Sequence, residues 1–422
     1  MTEKLKQILI FIAAGFKKLV LRFKKRKPMK EIMMIYYMEG KSARVAGKKV
    51  AWITSGGPVE PLIAMDVIPI YPENHGAMIG ASKMGVALCE KAEEMGYSRD
   101  LCSYARADIA CAVVNGGPIG GLPRPDMLVC CNNICGTVLK WYEVQARRFN
   151  VPLFIFDTPF CHTEYSEEAK KYVRSQIDEY MVFLEKACGR KFDSGRMENI
   201  WRWSIEGQKL WQAVLDTAAS RPAPISAFDA FYHLALIVSL RGRRDVLDYY
   251  SDLLARMKDR VTRGIGAVPG EKYRLLWDNL PIWYRVRWLS QRFASHGACL
   301  VADTYTSAWC GSLKYVDLSR PFFDSMAEAY TRIYLNVGID EMARTVIEMI
   351  DKYGVDGFVM HSNRSCKPYS LGQYDIQRIV ERERGIPCLM LEADMVDERN
   401  FSESQVATRI DAFMEIIKQN KK

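Results

Sequence analysis

The chain has 422 residues, 49% of them hydrophobic and 26% charged, which excludes a disordered protein and exceeds one compact core, so two or three domains are expected. Its formal charge of +9 is unevenly placed: residues 1–50 carry 14 Lys and Arg against 3 Glu, and residues 51–422 carry 45 basic against 47 acidic side chains. A basic appendage on a nearly neutral body excludes the broad basic working face of a general nucleic-acid binder. The appendage opens with an apolar run, Ile8 to Phe16, set among lysines and arginines. It is too short for a bilayer span, which needs about 20 residues, and is expected to dock on the protein or a partner rather than on a membrane. KKVAWITSGG, residues 48–57, reads as a strand entering a glycine turn, and residues 58–73 as a short helix and a second strand. Ser55 and Glu73 thus each follow a strand, where loop ends carry polar groups toward a ligand.

Residues 80–95 read as helix, and SRDLCSYAR then places Cys102 beside Tyr104 and Arg106, a guanidinium that would lower the thiol pKa. NGGPIGGLPRP, residues 115–125, is a loop without the G-x-G-x-x-G spacing of a dinucleotide site. In PDMLVCCNNICGTVLKWYE, residues 125–143, Asp126 to Val129 read as a buried strand. Val138, Leu139, Tyr142 and Ala146 fall on one helix face, which places Cys130, Cys131 and Cys135 at a strand end before a helix N-terminus. VPLFIFDTPF, residues 151–160, is a further strand ending at Asp157 and Thr158. Residues 165–295 are mainly helical, with Trp201, Trp203 and Trp211 either packing a core or lining an aromatic pocket. Within them GIGAVPG, residues 264–270, is a loop open to phosphate contact, and YRLLWDNLP resembles a strand start. Residues 355–366 run from a strand into a loop ending at Cys366, and Cys388 lies inside the strand of residues 386–395. The alternation of strands and helices implies an α/β protein: two doubly wound parallel-sheet domains, a helical N-terminal appendage and a helical middle segment. The boundaries are 1–45 for the basic segment, 46–164 for the first α/β domain, 165–295 for the connecting segment and 296–422 for the second α/β domain.

Twelve cysteines are too few for a disulfide scaffold, no secretory cleavage pattern follows the first apolar run, and neither C-x-x-C nor H-E-x-x-H occurs. Reduced thiols in a cytoplasmic protein are expected. Cys102, Cys135 and Cys366 each lie in a loop beyond a strand or helix end. Spacing alone leaves two readings open: ordinary buried thiols, or ligands of a 4Fe–4S cluster whose fourth iron stays open to water or a substrate oxygen.

The segments KKVAWITSGGPVEPLIAMDVIPIYPENHGAMIGASKMG, RDLCSYAR, GGLPRPDMLVCCNNICGTVLKWYEVQARRFNVPLFIFDTPF and IPCLMLEADMVDERNFSESQVATRIDAFMEII resemble the benzoyl-CoA reductase and 2-hydroxyacyl-CoA dehydratase family. The narrower resemblance is to the larger iron-sulfur subunit of ATP-dependent benzoyl-CoA reductase. It implies a cluster held by Cys102, Cys135 and Cys366, with Cys131 as the alternative central ligand, and Ser55 and Glu73 near a CoA thioester held by this subunit or its sister. It further implies an oxidoreductase of anaerobic aromatic degradation that reduces benzoyl-CoA or an analogue to a cyclic dienoyl-CoA. The alternatives are a 2-hydroxyacyl-CoA dehydratase subunit, or a non-catalytic electron-relay or scaffold subunit. The implied partners are a sister iron-sulfur subunit, an ATPase that delivers electrons, and ferredoxin as donor. ATP would act on the partner, because G-x-x-x-x-G-K-[ST] is absent here.

Overall fold

A computed structural model describes residues 28–421. The apolar run Ile8 to Phe16, and the docking or membrane role expected of it, lie outside the described residues. What is described of the appendage is one helix, Met29–Ser42, which buries Tyr36 and Tyr37; the Tyr36 hydroxyl donates to the Pro69 carbonyl at 2.7 Å.

Eight strands form two four-stranded parallel sheets among the described residues. The first comprises β1 (Val50–Ile53), β2 (Ile68–Ile70), β3 (Met127–Cys131) and β4 (Leu153–Phe156), in the order β2-β1-β3-β4. The second comprises β5 (Tyr273–Asp278), β6 (Ala298–Asp303), β7 (Gly357–Asn363) and β8 (Cys388–Ala393), in the order β6-β5-β7-β8. The two sheets therefore share one topology. In each, the chain steps outward one way from its first strand and then returns to the other side, so a crevice opens beyond the carboxyl ends of β1 and β3, and again beyond β5 and β7.

Side-chain alternation decides what each strand face buries. In the first sheet Val50, Trp52, Leu128 and Cys130 enter a large core shared by both halves, whereas Ala51, Ile53, Met127, Val129 and Cys131 face a separate layer with helices Glu167–Cys188 and Ser194–Asp216. In the second, Leu276, Phe358 and Met360 enter the same shared core, and Leu275, Trp277 and Val359 face a third layer. Strands buried on both faces read as continuous apolar runs, which is why the sequence shows them plainly.

Three expectations are corrected, and one helix falls in a segment without an expectation. Strand β3 continues through Cys131, so Cys130 and Cys131 are strand residues with no exposed surface, and only Cys135 of the three lies in the loop. The second sheet takes its central strand β5 from residues assigned to the helical middle segment, so the second α/β unit begins before residue 296. GIGAVPG consequently precedes β5 at the amino end of that sheet, opposite the strand ends that build the crevice. PENHGAMIGA forms a helix, Pro72–Ala81, that ends before a second one, Gly85–Glu94. Its composition hid it, since Pro and two Gly are poor helix formers. Gly76 is needed because an added Cβ would lie 2.5 Å from the Tyr104 ring.

Candidate functional site

Loops from both sheets and helices of the middle segment enclose one cavity lined by Ser55, Glu73, Cys102, Cys135, Cys366 and Arg241, among others. Ser55, Glu73, Cys102, Cys135 and Cys366 are therefore gathered at one place. Cys135 follows β3 and Cys366 follows β7, the third strand of each sheet in chain order, so equivalent loops of the two halves supply two of the three thiols.

Each thiol also sits at a helix start. Cys102 is the residue preceding helix Ser103–Val114, Cys135 lies two residues before helix Thr137–Phe149, and Cys366 precedes the short helix Lys367–Ser370. Backbone N–H groups near those starts act to lower the thiol pKa values: Ala105 and Tyr104 for Cys102, Val138 and Thr137 for Cys135, Tyr369 for Cys366. These groups favour the thiolate, but burial outweighs them. It pushes the Cys102 thiol up to about 12 and raises Cys366 well above the ordinary value, with Cys135 adding to the rise in both and Cys102 adding to that of Cys366. Charge on all three therefore needs a cation among them. No three His, Cys, Asp or Glu side chains among the described residues close to the spacing of a single metal ion. A polynuclear cluster asks for a different arrangement, because each thiolate meets its own iron and the sulfurs surround a volume rather than a point.

Arg106 does not act as expected. Its guanidinium is 1% exposed and turned away, donating to Glu93 at 2.6 Å, to Asp397 at 3.3 Å and to the Leu101 carbonyl at 3.0 Å. The cation that does line the cavity is Arg241, between the helices Ala235–Leu240 and Arg244–Thr262. It donates to the carbonyls of Ser55 at 3.2 Å and Gly57 at 2.7 Å, fixing the turn after β1, and lies 5.6 Å from the Trp309 ring. Nothing in the polar run SLRGRRD marks this arginine apart from its neighbours.

Glu73 stands in the first turn of helix Pro72–Ala81. Its carboxylate accepts from the Ser55 N–H at 3.1 Å and from the Tyr142 hydroxyl at 3.2 Å. Burial pushes it up to about 7 against those hydrogen bonds, so it exchanges a proton near neutrality. The Ser55 hydroxyl makes no hydrogen bond among the described residues, which leaves it available to a ligand. Of the three tryptophans, Trp201 lines the cavity, Trp211 is core and donates to the Thr306 carbonyl at 3.0 Å, and Trp203 packs beside the outer layer of the first sheet. Asp157 and Thr158, at the end of β4, brace Asn132 instead of reaching the cavity.

A family model described as 2-hydroxyglutaryl-CoA dehydratase, D-component, matches residues 54–417. The chain is 34% identical over 400 residues to the (R)-2-hydroxyisocaproyl-CoA dehydratase alpha subunit of Clostridioides difficile, spanning 94% of this chain and 97% of that one. It is 32% identical over 391 residues to the (R)-phenyllactyl-CoA dehydratase alpha subunit of Clostridium sporogenes, spanning 92% and 94%. Likeness to a subunit of the benzoyl-CoA reductase of Thauera aromatica is lower, 27% over 411 residues, spanning 93% and 94%. The order of the two activities expected from the sequence is thus reversed, with dehydratase ahead of reductase. Among the described residues no helix is long and apolar enough to cross a membrane.

Proposed function

Because the chain belongs to the 2-hydroxyglutaryl-CoA dehydratase D-component family, we propose that it is the alpha-type catalytic subunit of a 2-hydroxyacyl-CoA dehydratase, working with a sister subunit. The observation that carries this reading is the meeting of Cys102, Cys135 and Cys366 with Ser55 and a carboxyl poised near neutrality, Glu73, around one cavity. The three thiols would hold a 4Fe–4S cluster, which when bound supplies one electron and an open iron for a substrate oxygen. The chain's own residues then bind and move protons. The Ser55 hydroxyl donates to the thioester carbonyl, favouring negative charge there. Glu73 exchanges the proton that must leave carbon or reach the departing hydroxide. Arg241 keeps the Ser55 turn in place through the two carbonyls it grips. The apolar aromatic lining keeps bulk water from an elimination that releases water.

The second reading, an aromatic-ring reductase, keeps its support in the 27% likeness to the Thauera aromatica benzoyl-CoA reductase chain. The two differ in electron count. Dehydration returns its electron and needs reductant only to start, whereas ring reduction takes two electrons for every product. The test is strictly anaerobic purification with the partner subunit and an ATP-dependent electron donor, followed by assay with 2-hydroxyacyl-CoA and benzoyl-CoA. Enoyl-CoA formation in large excess over reductant consumed is expected, with iron and sulfide bound to the chain. A stoichiometric reductant demand with a cyclic dienoyl product would reverse the order again, and a colourless iron-free chain would remove the cluster.

A further inference from the structure

The carboxyl end of β8 meets the loop that follows β7, and a buried acid stands there that the proposed chemistry leaves unused. Asp394 is the first residue after β8 and has no exposed surface. Its Oδ1 accepts from the N–H groups of Val396 at 2.8 Å and Asp397 at 2.9 Å, and its Oδ2 accepts from the Ser365 hydroxyl. Both oxygens act only as acceptors, the bonding of an ionised carboxylate. Ser365 precedes Cys366, and its Oγ in turn takes the N–H of Ser103, the residue after Cys102, at 3.2 Å. One carboxylate thus ties together the loops of two thiols that belong to different halves of the chain.

The charge of Asp394 is not cancelled. Asp397, three residues on and equally buried, is met by Arg106 at 3.3 Å and Arg399 at 2.6 Å, whereas Asp394 makes no ion pair among the described residues. Burial is the main cause that raises Cys102 and Cys366, and Asp394 is among the charges that add to the rise in both, so its field reaches the two sulfurs. A fixed negative charge in a buried place disfavours a further negative charge beside it, and reducing a cluster adds one. Resting on the cluster-bearing dehydratase reading above, we infer that Asp394 is a positioning residue with a redox role. Through Ser365 it holds the Cys102 and Cys366 loops together, and its unpaired charge keeps the cluster bound there at low potential, strongly reducing toward a thioester carbonyl.

The experiment uses the complete complex, purified anaerobically, with Asp394→Asn, which removes the charge and keeps the shape. Reductive titration followed by electron paramagnetic resonance reads the potential, and Cys135→Ser, expected to lose most of this chain's iron, identifies which signal belongs to it. Asp394→Asn should keep its iron and shift the one-electron reduction equilibrium toward the reduced cluster at least tenfold, which is ~59 mV upward. Asp394→Glu adds a methylene to the buried site but retains the charge, so its potential should stay near that of the unaltered protein. An equal shift in both variants would make the effect one of packing and overturn the assignment. An unshifted potential in Asp394→Asn also overturns it and leaves the dehydratase reading intact. Should the Asn variant fail to fold, Asp394→Ser, neutral and smaller, is read in its place. Iron lost from both neutral variants while the chain melts as before would make Asp394 a brace for the loops alone, and overturns the redox role. An unaltered complex without iron removes the cluster from the reading, and this inference falls with it.

Discussion

Glu73 shows how a single side chain is tuned by opposing effects. Burial pushes its carboxyl up to about 7, while the Ser55 N–H and the Tyr142 hydroxyl stabilise the ionised form and hold it there. Tyr142→Phe removes one of those donors and fills the same space, so the carboxyl should titrate about one unit higher. The pH limb of kcat that reports Glu73 should move alkaline by that amount, whichever protonation state is active. An unmoved limb would show that Glu73 is not the group being titrated. The cysteines separate in the same residue-by-residue way. Serine at Cys102, Cys135 or Cys366 should remove most of the bound iron. Cys131→Ser should keep the iron and cost about 1–3 kcal/mol of stability, because it buries a hydroxyl in the outer core layer of the first sheet. Iron analysis beside a denaturation curve distinguishes the two classes. The sequence left Cys131 and Cys135 open because a strand end is hard to place within two residues of a turn; strand register, not composition, turns Cys131 into the core.

At the level of elements, strands were more legible than the pieces between them. A parallel strand buried on both faces is a continuous apolar run, whatever lies around it. Helix Pro72–Ala81 was not legible, since its glycines serve tertiary approach rather than helix propensity. Nor was the place of Arg241, because a buried cation held by loop carbonyls has no periodic signature; only the folded chain brings residue 241 to residue 55. Gly76→Ala tests the helix. The new Cβ would stand 2.5 Å from the Tyr104 ring, which also lines the cavity, so either the helix or the ring must move. Such overpacking costs about 1–3 kcal/mol. A lowered denaturation midpoint together with altered substrate KM is expected, whereas an unchanged midpoint would mean that the helix packs less closely than the structure has it.

The whole molecule is two halves of one topology joined where their strand ends meet, and the junction is held beside the thiols rather than at a distance. The Ser103 N–H, next to Cys102, donates to Ser365 Oγ, next to Cys366, at 3.2 Å. Behind that contact Glu93 and Arg106 of the first half engage Asp397 and Arg399 of the second: Arg106 meets Glu93 at 2.6 Å and Asp397 at 3.3 Å, and Arg399 meets both acids at 2.6 Å. Arg106 was legible as an arginine near Cys102, but not as part of this clamp, because its partners at 397 and 399 are distant in sequence. Arg106 and Asp397 are essentially without exposed surface, so the network is shielded from salt far better than a surface pair. Removing one member leaves charge buried and under-compensated. Arg106→Leu should therefore cost about 3–5 kcal/mol, with the loss concentrated at the junction. Since the guanidinium points away from the sulfurs, the folded variant should still bind iron. It should release that iron at a lower denaturant concentration than the unaltered chain, in step with separation of the halves. Iron absorbance and tryptophan fluorescence followed on one denaturation series check this. Loss of iron from a variant that otherwise melts normally would place Arg106 in the site after all, and identical melting of both proteins would show that the clamp contributes nothing to joining the halves.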